Sequence, residues 1–179
     1  MRSSAGVTLM EMLTSVAIIA ILGALAAPSF STLMYDTGRT AAVNEFFHAV
    51  FLARSEAIRR GKVVSLCKST DRETCAHRAE WTAGWIVFVN SDGDELPERD
   101  PAEPLLAAYE GWKKGQITSN RPAYSFRPYT QGVVNGTIVF CDARGSAHAR
   151  AIIISHTGRP RVARRDASDK ALRCPSGPG

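Results

Sequence analysis

Gly6-Val7-Thr8-Leu9-Met10-Glu11 leads directly into residues 12–27, MLTSVAIIAILGALAA, which hold no charge and only Thr14 and Ser15 as polar side chains. With residues 7–10 before it and 28–30 after it, a helix rising about 1.5 Å per residue is long enough to cross roughly 30 Å of hydrocarbon. One charge, Glu11, sits inside the run. A cleaved secretory signal is the competing reading, with Arg2 as its basic end and Ala24-Leu25-Ala26 as the cleavage site. Two features oppose it. An ionised carboxylate within such a run costs about 2.5 to 3.5 kcal/mol on insertion scales, and an intramembrane ionisable residue is by default functional. The sequence that follows also continues as helix rather than breaking.

Beyond Pro28, the residues Val43, Phe46, Phe47, Val50, Phe51, Arg54, Ala57 and Ile58 recur at spacings of three and four, which marks one apolar helical face. Gly61 is placed to end it. This predicts one long helix, broken or bent at Pro28 and Gly38, whose second half packs on a globular head. After Gly61 the pattern changes to short runs rich in β-branched and aromatic residues at 63–68, 85–90, 136–141 and 149–155. Weaker runs lie at 105–109, 116–119 and 123–127, and Gly, Pro, Asn and Asp separate them. A long helix followed by antiparallel strands is an α+β arrangement.

Gly6-Val7-Thr8-Leu9-Met10-Glu11 resembles the type IV prepilin signature, in which a short hydrophilic leader ending in glycine is removed from a retained apolar helix. The resemblance implies cleavage after Gly6 by a prepilin peptidase and methylation of the new amino terminus at Val7, where Phe is usual. Glu11 matches the glutamate five residues after the cut, and Pro28 the proline that bends the pilin helix. A carboxylate among apolar helices needs a cationic partner, and the Val7 amine of a neighbouring subunit would supply it and set the register of assembly. A glutamate that only snorkels to the headgroups is the alternative.

Further residues resemble the minor pseudopilins of the GspH/FimT family. They are residues 53–61 (ARSEAIRRG), Trp81, residues 84–88 (GWIVF), Gly145 and Thr157-Gly158-Arg159. The resemblance implies a type IV pilin-like fold, with a membrane-spanning helix packed on an antiparallel, β-rich periplasmic head. Its parts are a leader at 1–6, a transmembrane or filament-core helix at 7–30, an amphipathic continuation at 31–61 and a head at 62–179. It implies a single-pass inner-membrane protein that other pilins or pseudopilins incorporate into a filament of a type IV pilus or a type II secretion machine.

The chain is 45% hydrophobic and 22% charged, which excludes a disordered protein. Its net charge of +5 is unevenly placed. Residues 1–140 carry 14 Lys+Arg and 14 Asp+Glu, whereas residues 141–179 carry eight and three. The excess therefore lies in the last 39 residues and points to an acidic partner such as DNA or a membrane surface.

Within that segment Gly158-Arg159-Pro160-Arg161-Val162-Ala163-Arg164-Arg165 places four arginines in eight residues. Guanidinium forks suit phosphate oxygens. Gly158, Arg159 and Arg161 also resemble the GRxR motif of FimT-type minor pilins, which implies DNA binding in natural transformation. No Phe, Tyr or Trp follows Phe140, so a stacking platform for unpaired bases is missing and the expected contacts are to phosphates. Four such contacts on duplex DNA predict a slope of log K against log salt of about −3.6. A solvated basic strand, or a contact to another pilin without DNA binding, is the competing reading; it leaves a purely structural initiating or capping subunit.

Four cysteines without a CxxC spacing permit three pairings. Cys67 with Cys75 and Cys141 with Cys174 are favoured, the second tying the basic tail to a strand, in an oxidising compartment. Residues 90–95 (NSDGDE) imitate a calcium loop but place glycine fourth instead of sixth, with Pro101 where the bidentate glutamate belongs. His48, His77, His148 and His156 share no metal-ligand or triad spacing. These patterns call for no enzyme, metal or cofactor.

Overall fold

The computed structural model describes residues 6–94, 96–128 and 135–175, without the side chains of residues 25–29. One helix, α1 (Leu9–Arg60), precedes the strands β1 (Val63–Lys68), β2 (Trp85–Asn90), β3 (Leu105–Tyr109), β4 (Gln116–Ser119), β5 (Ala123–Phe126), β6 (Gly136–Cys141), β7 (Arg150–Ile154) and β8 (Pro160–Ala163). The chain divides into two compact units between Thr37 and Gly38.

The first unit is helical. Thr8 stands just before α1, and its Oγ1 accepts the Glu11 backbone N–H at 3.3 Å, satisfying one of the helix's orphan donors. Inside the apolar run, Thr14 Oγ1 donates to the carbonyls of Met10 and Glu11 at 3.0 and 3.1 Å, and Ser15 Oγ donates to Glu11 O at 2.7 Å. Both hydroxyls are thus satisfied by the helix itself and need no water. The helix runs on through Pro28 and Gly38, where the sequence predicts a break or bend. Proline costs the helix one i to i−4 bond and crowds the carbonyl four residues earlier, which a bend accommodates without ending the helix. After Arg60, Gly61 adopts φ +65°, the left-handed conformation that closes a helix and that a residue with a Cβ adopts at a cost.

In the second unit the buried stripe of α1 is Ala42, Val43, Phe46, Ala49, Val50, Ala53 and Ala57. It is displaced from the face expected from the large apolar residues. Phe51 and Ile58 are 52% and 45% exposed, and Phe51 stacks on the half-buried Phe47 with ring centroids 6.0 Å apart. The alanines explain the displacement: small side chains let the helix approach the sheets closely, and Phe46 fills the space between.

Both sheets are antiparallel and four-stranded, with orders β3-β2-β1-β5 and β4-β6-β7-β8. Strand alternation sends Val64, Leu66, Trp85, Val87, Tyr124 and Phe126 of the first sheet into a common core with Ile117, Ile138, Phe140, Ile152 and Ile154 of the second. Phe46 meets Trp85, Trp81 and Phe140 there, at centroid distances of 5.0, 5.4 and 5.9 Å. Seven of the eight strands match runs expected from sequence, with ends shifted by a residue at β5 and β7. The remaining strand, β8, matches none of the β-rich runs. Its Pro160 and arginines lower its propensity, yet an edge strand accommodates Pro at its first residue and charge along its length.

Candidate functional site

The basic segment is built on β8, the edge of the second sheet, paired with β7 in the register Ile154 to Pro160, Ile153 to Arg161, Ile152 to Val162 and Ala151 to Ala163. The turn before it is tightly made. Ser155 N–H donates to Arg159 O at 3.1 Å, Gly158 N–H to Ser155 O at 2.8 Å, and Arg159 N–H to Ser155 Oγ at 3.2 Å. Gly158 supplies the φ of +72° that the turn needs, and it is buried. The glycine of the GRPR sequence therefore serves the hairpin directly, and it fixes where Arg159 and Arg161 emerge.

The four arginines do not share one environment. Arg159, Arg161 and Arg164 are exposed, and among the described residues no carboxylate pairs with them. Arg161 lies on the face of Ile153, opposite to Val162, while Arg164 follows the strand at a bend. Arg165 is engaged instead: Nη1 donates to Asp169 O at 2.8 Å and lies 3.8 Å from the Asp169 carboxylate, beside a bridge from Arg165 to Ala171.

A disulfide and a buried ionic cluster hold this region to the rest of the head. Cys141 is bonded to Cys174, while a second disulfide, Cys67 to Cys75, closes a short loop after β1. Each closure is worth roughly 2 to 4 kcal/mol in the chain-entropy model. Leu172 packs with Cys141, Ala149 and Ala151, so the tail is laid on the sheet and not left in solvent. At the end of β6, the buried Asp142 carboxylate receives Arg39 Nη1 at 3.1 Å and Arg144 Nη2 at 2.7 Å, while Arg39 Nη1 also donates to His148 O at 2.7 Å. Burial raises the Asp142 pKa, but the Arg144 hydrogen bonds and the charges of Arg144 and Arg39 outweigh it and hold the carboxyl below its ordinary value. This cluster gave no motif in the sequence; Arg39 and Asp142 lie 103 residues apart.

The acidic loop uses its ligands internally. Asn90 Oδ1 accepts Gly93 N–H at 2.6 Å and Asn90 Nδ2 donates to Ser65 Oγ at 3.0 Å, while Glu95 lies outside the described residues. Among the described residues no group of three His, Cys, Asp or Glu side chains is placed to hold a metal ion.

At the other end, Gly6 and Val7 are exposed and precede the helix, and Glu11 is in its first turn. A carboxylate there also complements the helix dipole, and Thr8-Leu9-Met10-Glu11 has the spacing of a capping box, a local helix-start signal. Around the helix, Leu9, Met10, Met12, Leu13, Val16, Ile18, Ile19, Ile21 and Leu22 each expose more than half of their surface. A helix apolar on all sides needs an apolar surround. Among the described residues no helix is long and apolar enough to cross a membrane; the side chains of 25–29, which continue the run, are not among them.

An apolar helix that follows Gly6 and continues into an antiparallel β-rich head defines the type IV pilin-like class. The prokaryotic N-terminal methylation motif matches residues 1–27, and the model of the type II transport protein GspH matches residues 42–158. The chain belongs to this GspH family. Two crystal forms of the Pseudomonas aeruginosa type IV minor pilin FimU share the fold at 19% identity. They give TM-scores of 0.54 and 0.52, covering 77% and 74% of this chain and 95% and 96% of theirs. No curated protein sequence matches the chain.

Proposed function

We propose that this minor pilin or pseudopilin is cut after Gly6 by a prepilin peptidase, methylated at Val7, and held by residues 7–30 in the inner membrane, with its head in the periplasm, until a filament takes it up. The all-round apolar surface of the first helical turns supports this, because lipid and then neighbouring helices supply the surround such a surface needs. Glu11 pairs with the Val7 amine of an adjacent subunit and sets the register. Mass spectrometry of the protein from its own cells should find a chain beginning at methylated Val7. A chain beginning near Ala27 would mean that a secretory signal had been removed instead.

We further propose that the head binds DNA through Arg159 and Arg161, with Arg164 contributing and Arg165 partly neutralised by Asp169. The observation that carries this is the pair of exposed guanidiniums, paired with no carboxylate among the described residues, presented at a sheet edge by a hairpin whose own bonds fix their spacing. Contacts to phosphate dominate, so sequence preference is small. The full chain in mild detergent should shift duplex DNA in a gel, and Arg159→Gln with Arg161→Gln should flatten the salt slope by about 1.8, at −0.9 per contact. Unchanged binding in that variant would remove the site. The competing reading, a purely structural initiating or capping subunit of a pilus or secretion pseudopilus, draws on the same edge: Pro160 and Arg161 also guard an open strand against unwanted pairing.

A further inference from the structure

The outer face of the second sheet leads from Arg161 to recesses lined by further cations. Arg161 pairs with Ile153, Ile153 pairs with Thr137, and Thr137 N–H donates to Asn120 Oδ1 at 2.9 Å. Directly paired residues share a face, so this row runs from the β8 edge past β4, across three strand spacings or roughly 14 Å. The opposite face is spent on the core. On the outer face, residues 166–173 border a recess of about 640 Å3, with Thr118, Asn120, Thr137, Lys170 and Arg173 in its walls. A second recess of about 460 Å3 shares Thr118, Ser119 and Asn120 with the first and continues to Arg121, Arg78 and Lys68.

We infer that the two recesses form one track for a phosphodiester strand of DNA, entered at Arg161 and running past Lys170, Arg173 and Arg121 to Arg78. This rests on the DNA reading of Arg159 and Arg161 and extends it across the sheet. Five cations, Lys68, Arg78, Arg121, Lys170 and Arg173, line the recesses against two carboxylates, Glu80 and Asp166; two of the five are engaged, Lys68 Nζ donating to His77 O at 2.6 Å and Arg121 Nε to Asn135 O at 3.1 Å. Asp166 is occupied: its Oδ1 accepts the Ser168 and Lys170 N–H groups at 2.8 and 2.9 Å. Between the cations the floor is Thr118, Ser119 and Asn120, of which Thr118 and Asn120 are neutral groups able to donate to phosphate oxygens, while the Ser119 hydroxyl is bonded to Tyr124 Oη at 2.6 Å. A protein partner is a poorer fit, because protein interfaces centre on buried apolar or aromatic anchors. Trp81, the aromatic residue lining these walls, is 3% exposed and its Nε1 donates to Arg121 O at 3.2 Å, so it offers no stacking surface. Backbone contact without base stacking follows.

The test is fluorescence anisotropy of a labelled duplex with the full chain in detergent, over a series of salt concentrations. Arg78→Gln with Arg173→Gln replaces two exposed side chains, one in each recess, both beyond the hairpin. The expected result is a salt slope flatter by about 1.8 at −0.9 per contact, with Arg78→Lys plus Arg173→Lys keeping the original slope. Wild-type affinity and slope in the glutamine variant, while Arg159→Gln with Arg161→Gln still weakens binding, would overturn the track and leave the hairpin site standing. No binding by the wild-type chain at any salt concentration would overturn the DNA reading itself, and the track with it. Unfolding curves of both double variants that overlay the wild type establish that lost binding is not lost structure.

Discussion

Phe46→Ala should destabilise the head by about 3 to 5 kcal/mol, the range for removing a large aromatic side chain from a packed core. Phe46 is fully buried, and its ring touches three others that come from both sheets and from the turn at Trp81. Truncation removes apolar transfer energy, forfeits the edge-to-face contacts, and leaves a void that rigid neighbours such as Trp85 and Phe140 cannot refill by rotamer changes. Phe51→Ala on the same helix should change stability by only about 0.5 kcal/mol, because the side chain is half exposed. Urea unfolding followed by tryptophan fluorescence reads both, since Trp81, Trp85 and Trp112 all lie buried in the head. Equal losses for the two variants would mean that the helix buries the face marked by its large residues and not the face marked by its alanines.

That contrast shows what sequence periodicity can and cannot carry. Spacings of three and four identified a helix over residues 43–58, since Val43, Phe46, Val50 and Ala57 are core in both readings. The same periodicity gave Phe51 and Ile58 equal standing, because hydrophobicity alone does not say which side of a wide stripe meets the sheets. Ala49 and Ala53, weak on a hydrophobicity scale, decide it through size. Strands with dense β-branched or aromatic residues, such as β2 and β7, were legible for the same reason that they are buried. β8 was not, because an edge strand is under the opposite pressure and carries Pro160 and Arg161 where a central strand carries isoleucines. For the candidate DNA site the sequence supplied the arginines but not their inequality. Arg165 differs from Arg161 only through Asp169, four residues on, and the recess beyond Thr137 depends on strand order that no local motif encodes.

Asp142→Ala should be as damaging as the loss of Phe46, by about 3 to 5 kcal/mol, through charge rather than volume. The Asp142 side chain is wholly buried and those of Arg39 and Arg144 are 5% and 16% exposed, so removing the carboxylate leaves two guanidiniums close together with their compensating charge gone. Asp142→Asn keeps the volume but removes the charge and puts an NH2 donor where one oxygen accepts from arginine, so most of the loss should remain. The pH dependence separates this from a packing effect. Because the folded-state pKa of Asp142 lies below its unfolded value of about 3.9, the wild type has the full contribution above that pH and loses it as pH falls through the folded value. The gap in stability between wild type and Asp142→Asn should therefore be constant from neutral pH to about pH 5, and should close below about pH 4. Glu56, held at about 2 by hydrogen bonds from Arg59 and Arg60, and Asp71, held low by its bonds to Thr74 and Glu73, titrate in the same acid range. They are common to both proteins and cancel in the difference, so a gap that stays constant to pH 2 would assign the role of Asp142 to its hydrogen-bonding shape instead of its charge.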